Sequence, residues 1–359
     1  MSVHAPVREL GYLRVIDEEG QVTDSSLLPD ITEGHFKQLM ERMLFTRLWD
    51  ERAIKWTRQG KLGFYAPVAG QEAAMIGSEA ALTMDDFILP SYRDVPQAVW
   101  HGWPLYQAFL YSLGHQHGNQ IPEGVNVLPP QIIIGAQIVQ AAGVAMAFAL
   151  RKEKRVALAY IGDGGTSQGD FYEGMNVAGV YRLPLIVLVQ NNQFAISVPV
   201  EKQTAVKELA KKAEASGMEG IRVDGMDVLA VYQAVQGAVQ KAKAGEGPTL
   251  IEALTFRYGP HTMSGDDPKR YRTKELEEDW RARDPIIRYR KFLHTKGWWT
   301  EEDERKVETK AKDEVQAALD RANQFPAMSM KALASHMYAK MPIELADQLI
   351  RQDTKKEVK

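Results

Sequence analysis

Four stretches, VALAYIG (156–162), LPLIVLVQNN (183–192), IRVDG (221–225) and TLIEALTF (249–256), are apolar and branched with almost no polar alternation. A half-exposed strand would alternate polar and apolar side chains, so strands that read this way must be covered on both faces. Between them, residues 170–180, 201–216 and 226–243 read as helices. Strand and helix in repetition predict an α/β protein with a mostly parallel, doubly wound sheet, right-handed crossovers and helices on both faces. Ligands in such folds bind at the carboxyl ends of the strands.

The rest of the chain divides around this core. Residues 1–31, with Pro29 and scattered charges, read as an N-terminal arm of the kind that lies on a partner. Residues 32–275 form the main domain, opened by an amphipathic helix over 32–59 with Phe36, Leu39, Met40, Met43 and Leu44 at three- and four-residue steps. Residues 276–359, rich in Glu, Lys, Arg and Ala with breaks at Asp284-Pro285, Gly297 and Pro326, read as a helical C-terminal extension. The small, apolar run 135–150 carries Gln137 and Gln140 and fits a buried helix better than a lipid-facing one. With 45% hydrophobic and 25% charged residues the chain is globular in composition, and a net charge of -3 gives no field to draw it to nucleic acid or an anionic membrane. Cysteine is absent, which removes disulfides, thiolate chemistry and Cys-ligated metals. No apolar run has the length of a signal core or a membrane span, so a soluble, cytoplasmic protein is expected.

The stretch YIGDGGTSQGDFYEGMN (160–176) is a strand running into a glycine-rich turn and then a helix. Glycines let backbone approach a phosphate closely, and the free N–H groups of a helix start favour anions. The pattern is neither GxGxxG nor GxxxxGK[ST], which weakens dinucleotide and nucleoside-triphosphate readings. Asp163 within the turn would repel an anionic ligand unless a cation lay between them. Mg²⁺ commonly bridges a carboxylate to phosphate oxygens, and Asn192, ending the next strand at the same sheet edge, is a second candidate oxygen ligand.

Gly162-Asp163-Gly164, followed after residues 165–190 by Asn191-Asn192, resembles the signature of thiamine-diphosphate enzymes. FILPSYRDVP (87–96), PPQIIIGAQ (129–137), IRVDGMD (221–227) and FRYGPHTMSGDDPKRYR (256–272) resemble alpha subunits of 2-oxoacid dehydrogenases of the bacterial heterotetrameric type, over most of the chain from about residue 44 to 289. The resemblance implies the thiamine-diphosphate-binding fold, thiamine diphosphate and Mg²⁺ as cofactors, and Asp163, the Asn192 side chain and the Phe194 carbonyl as metal ligands. It implies further that Gly164 and Gly165 lie against the diphosphate, that Tyr92 and Arg93 bind the cofactor, and that Ile134 is the apolar wedge that holds it bent. Arg93 also suits the role on chemistry, since a guanidinium fork matches phosphate oxygens.

Of eight histidines, His4, His35, His101, His294 and His336 read as surface or structural. His261 lies in a Gly-, Pro-, Asp- and Arg-rich loop after a strand, where, beside Arg257, Arg270 and Arg272, it could close over an anionic substrate. The resemblance makes His261 catalytic and diphosphate-contacting, and sets His117 near the substrate. An imidazole near neutrality can move a proton or steady a developing anion. Thr262 aligns with a serine that is phosphorylated in mitochondrial relatives.

The chemistry the resemblance implies is decarboxylation of a 2-oxoacid, pyruvate in the first instance, with delivery of the acyl unit to a lipoyl group. The glutamate required at the aminopyrimidine ring is missing, because only one strand–helix series is evident. A beta subunit should supply it in an α₂β₂ assembly docked on a lipoyl-bearing acyltransferase core. Branched-chain 2-oxoacid and acetoin dehydrogenase alpha subunits stay open as alternatives, and so, from another class, does a non-catalytic nucleotide-binding or scaffold subunit.

Overall fold

The computed structural model describes residues 12–357. Its centre is a six-stranded, all-parallel sheet built from β1 (Tyr12–Leu13), β2 (Phe87–Leu89), β3 (Ala157–Gly162), β4 (Leu185–Asn191), β7 (Glu219–Asp224) and β8 (Thr249–Leu254), in the order β1-β7-β8-β4-β3-β2. Two short strands, β5 (Phe194–Ala195) and β6 (Val198–Pro199), pair antiparallel outside it.

The central strands are buried on both faces, as their unbroken apolar runs require. Leu158, Tyr160, Ile186 and Leu188 point into one core with α1 (Glu33–Arg58), α2 (Glu72–Ala80) and α8 (Val228–Lys243). Ala157, Ala159, Ile161, Leu185, Val187 and Val189 point into the other, against α5 (Ala136–Arg151) and α6 (Gly169–Val180). Each fully buried aliphatic side chain contributes roughly 1.5–3 kcal/mol, so losing either layer would undo the sheet. Thr32 caps α1 by accepting from the His35 N–H, at the start expected from the sequence.

Three details depart from the sequence reading. Residues 12–16, expected in an arm lying on a partner, belong to the domain itself: β1 pairs with Arg222 and Val223, and the Val15 and Ile16 N–H groups both donate to Asp227 Oδ2 at 2.8 Å. Burial of Val15 and Ile16 fixes that edge. The helix expected over 201–216 is two pieces, a single turn α7 (Val200–Gln203) and a 3₁₀ stretch Leu209–Ser216. There, tertiary partners anchor the 3₁₀ stretch, with Glu252 accepting from the Ala210 N–H at 3.0 Å and Lys212 Nζ donating to Thr166. The helix over 135–150 buries one face only; Val139 and Leu150 lie exposed on the other.

The C-terminal segment is helical, with breaks at the expected residues. Asp284 caps the helix Pro285–Thr295, Gly297 takes φ +70°, and a Thr300/Asp303 capping box starts the helix Glu301–Asn323. Val307, Ala311, Val315 and Leu319 of that last helix lie in the same core as α1, so the segment packs into the domain. Among the described residues, no helix is long and apolar enough to cross a membrane. His4 and the very end of the terminal charge run lie outside the described residues.

Candidate active site

At the carboxyl edge of β3 and β4 lies a cavity of about 390 Å³. It is lined by every residue the sequence reading proposed for cofactor or metal, namely Tyr92, Arg93, Ile134, Asp163, Gly164, Gly165, Asn192, Phe194 and His261. The register explains the central pair. Gly162 is aligned with Gln190 at the last step of β3 against β4, so Asp163 and Asn192 leave adjacent strand tips one and two residues later.

After β3 the chain makes a 3₁₀ turn, Asp163–Ser167, before α6 begins. A Cβ on Gly165 would sit 2.4 Å from Ile161 Cγ1 and 3.1 Å from Ile134 Cγ2, and one on Gly164 would sit 2.8 Å from Ala195 Cβ. Only glycine leaves backbone there for a ligand to rest on. Asp163 is 1% exposed, and its Oδ2 has no hydrogen-bond partner. Burial pushes its carboxyl up to about 7, against the pull of neighbouring backbone N–H groups, Arg257 and Arg93. A buried carboxylate oxygen left unpaired is costly unless a cation takes it.

The two asparagines divide the work. Asn191 is tied into the fold, donating to Glu252 at 2.7 Å and accepting from the Gln193 N–H. Asn192 faces the cavity; its Nδ2 donates to Gln71 Oε1 at 2.9 Å and its Oδ1 accepts from the Phe194 N–H at 3.3 Å. Among the described residues no group of three His, Cys, Asp or Glu side chains could hold a metal. A cation here must therefore complete its shell with amide, carbonyl and ligand oxygens, the set that suits Mg²⁺.

Opposite the turn, Arg93 is buried, donating from Nη1 to the Pro67 carbonyl at 2.5 Å and from Nη2 to the His261 carbonyl at 2.6 Å. His261 Nδ1 is 3.3 Å from the same Nη2, and its ring meets Tyr92 edge-on with centroids 5.8 Å apart. Burial first, then Arg93 and Arg257, pull His261 down to about 4, so its imidazole is neutral at physiological pH. The Asp266 carboxylate fixes the loop by accepting from the His261 N–H at 2.5 Å and the Tyr271 hydroxyl at 2.7 Å.

The loop's arginines do not serve as the sequence suggested. Arg257 is fully buried and donates to the Gly259 carbonyl, Arg272 donates to the Arg257 carbonyl, and Arg270 is exposed. The first two brace the loop from beneath. His117 lies outside the cavity: it stacks on His115 at 5.1 Å and packs on Phe325, with Nδ1 2.8 Å from Gln120 Oε1. His101, read as bland, is fully buried with Nε2 3.0 Å from the Asp86 carbonyl, a structural post.

Sequence reasoning missed Gln71, Asp94, Gln137 and Gln190, which also line the cavity. Asp94 stands next to Arg93 in a quoted motif, yet only the fold shows it buried and accepting from the Ser91 hydroxyl at 2.6 Å, Gln97 and Gln190. Gln71, in AGQEA, had no neighbour in sequence to single it out.

A parallel α/β sheet whose strand tips present a glycine cradle, an unpaired carboxylate and an oriented amide defines the class of α/β protein that carries its ligand site at the carboxyl ends of the strands. The family model for the dehydrogenase E1 component matches residues 40–331, and the chain belongs to that family, whose cofactor is thiamine diphosphate. It is 58% identical over 336 residues to the pyruvate dehydrogenase E1 component subunit alpha of Bacillus cereus, covering 94% of this chain and 91% of that one. The proteins of the same name from Bacillus subtilis (strain 168) and Staphylococcus aureus (strain Mu50) are 56% and 55% identical, over 93% and 94% of this chain and 90% and 91% of theirs.

Proposed function

We propose that this chain is the alpha subunit of a pyruvate dehydrogenase E1 component, which decarboxylates pyruvate and passes the acetyl unit to lipoyl groups on an acyltransferase core, and that it works only with a beta subunit as α₂β₂. The observation that carries this reading is the unpaired Asp163 Oδ2 beside Asn192 in a glycine-floored cavity. Asp163, the Asn192 amide oxygen and the Phe194 carbonyl would hold Mg²⁺, with Gly164 and Gly165 against the diphosphate. Ile134 and Phe64 supply apolar wall for the rest of the cofactor.

Bound thiamine diphosphate supplies the electron sink that makes decarboxylation of a 2-oxoacid feasible. The chain's own residues bind, orient and shield. Arg93 brings fixed positive charge to the phosphate end. His261, neutral and held by Arg93 and Asp266, can donate or accept one hydrogen bond at the cavity mouth without adding charge. His117, which packs on His115 and Phe325 and does not line this cavity, is given no contact with the cofactor in this reading.

The rim argues for a partner. Ile132 and Ile196, which line the cavity, are 64% and 55% exposed, the adjoining Ile133 is 72% exposed, and exposed apolar side chains of this size favour burial against another protein. Pyruvate is preferred to branched-chain 2-oxoacids because the relatives at 55–58% identity carry the pyruvate name. The test is to reconstitute the chain with a matching beta chain and assay pyruvate, 2-oxoisovalerate and acetoin, with Asp163→Ala as control. Pyruvate turnover that needs both chains and Mg²⁺ and is lost in the control supports the reading; full turnover by the alpha chain alone, or by the Asp163→Ala pair, refutes it.

A further inference from the structure

Resting on the cofactor reading above, we propose that Gln71 is a positioning residue of the cation site: it orients the Asn192 amide so that oxygen faces the metal, and offers its own spare N–H to a ligand oxygen in the cavity. An asparagine amide presents an oxygen and a nitrogen of almost the same shape, and only the donors and acceptors around it decide which points where. A cation accepts only the oxygen.

Gln71 Oε1 accepts from Asn192 Nδ2 at 2.9 Å, while the Phe194 N–H donates to Asn192 Oδ1 at 3.3 Å. Turning the Asn192 amide over would set oxygen against oxygen at Gln71 and N–H against N–H at Phe194. Of the two contacts the one to Gln71 is shorter, and it crosses from α2 to the tip of β4. Gln71 is held by its backbone. It is fully buried at the start of α2, between Gly70, whose N–H donates to Glu72 at 2.9 Å and whose carbonyl accepts from the Thr255 hydroxyl at 3.0 Å, and Glu72, which is paired with Arg47.

The second observation is the other end of the same amide. Gln71 Nε2 is buried and has no hydrogen-bond partner, on a residue that lines the cavity. A side chain present only to fill space would be apolar, because burying an unpaired amide is costly. The donor makes sense if a metal-bound water or a phosphate oxygen completes it. Ligand-orienting partners behind a metal site ordinarily matter at the level of about 10–100-fold in metal affinity.

The test is made on the alpha–beta complex, reading the Mg²⁺ concentration that half-saturates thiamine diphosphate binding by calorimetry, together with the melting temperature of the cofactor-free complex. Gln71→Met keeps the volume and removes both polar ends; the expected result is a rise of about 10–100-fold in the Mg²⁺ requirement with the cofactor-free melting temperature unchanged. Asn192→Asp supplies the discriminating background, since a carboxylate offers oxygen in both directions and needs no orienting. In that background Gln71→Met should cost less than about a third of its effect in the wild type, a coupling only an orienting role predicts. An unchanged Mg²⁺ requirement in Gln71→Met, equal losses in both backgrounds, or a lowered melting temperature of the cofactor-free complex would each overturn the proposal. A wild-type complex that binds thiamine diphosphate without any divalent ion would instead defeat the cofactor reading on which it rests.

Discussion

Asp227 and Asp163 are both buried aspartates at the ends of strand–helix units, and burial raises both carboxyls, to about 6 and about 7. Their surroundings differ. Asp227 accepts from the N–H groups of Val15, Ile16, Leu229 and Ala230, so it caps α8 and clamps the edge strand β1. Asp163 has one oxygen with no partner, in a cavity where Gln71, Gln137 and Gln190 also carry unpaired polar atoms. The fold satisfies the carboxylate of Asp227, which joins two elements, and leaves an oxygen of Asp163 open to the cavity.

The contrast breaks most visibly at Asp227. Asp227→Ala would strand four N–H groups at a buried joint, and a loss of about 3–5 kcal/mol is expected by chemical denaturation, with cofactor affinity little changed in whatever remains folded. Asp163→Ala should do the reverse: more than about 100-fold loss of Mg²⁺-dependent thiamine diphosphate binding, a larger effect than that of any residue behind the ligands, with cofactor-free stability unchanged or improved. If Asp163→Ala unfolds the chain, the distinction between the two aspartates fails.

Gly165→Ala sharpens the same contrast at the cradle, where a Cβ meets Ile161 at 2.4 Å. Overpacking of this kind costs about 1–3 kcal/mol, and it should appear both in the melting curve and as weaker cofactor binding, unlike either aspartate change.

The last contrast, small over any single pH unit, is a pH dependence of opposite sign in two measurements. Because the folded-state pKa of Asp163 is raised, its contribution to cofactor-free stability is present below the ordinary aspartate value near 4 and is lost as pH rises through about 7. Asp163→Asn should flatten that decline. Metal binding needs the ionised carboxylate, so Mg²⁺ affinity should climb with pH by about tenfold per unit up to about 7, then level, with proton release seen by calorimetry in two buffers. A flat profile from pH 5 to 8 would place the raised carboxyl elsewhere.

The sheet was legible from the chain because its signals are local. Unbroken apolar runs such as 156–162 state directly that both faces are covered, and Gly164-Gly165 after a strand states that backbone must come close to something. The Asp163–Asn192 pairing was legible for a related reason: two neighbouring parallel strands of similar length bring their tips together whatever the loops do. The division between Asn191 and Asn192 was not legible, nor was the split of 201–216 into two pieces, since each depends on which distant carboxylate or carbonyl arrives, Glu252 in one case and both Glu252 and Thr166 in the other.

The amino-acid order by itself determined a parallel α/β core with a glycine-rich turn and an aspartate at a strand tip, because strand burial, helix periodicity and glycine spacing are properties of adjacent residues. Only the tertiary structure decided that Gln71 meets Asn192 across 121 residues, that Arg93 meets His261 across 168, and that His117 packs on Phe325. Contacts at such separations are chosen by packing of the whole core, and no local pattern encodes which partner will be waiting there.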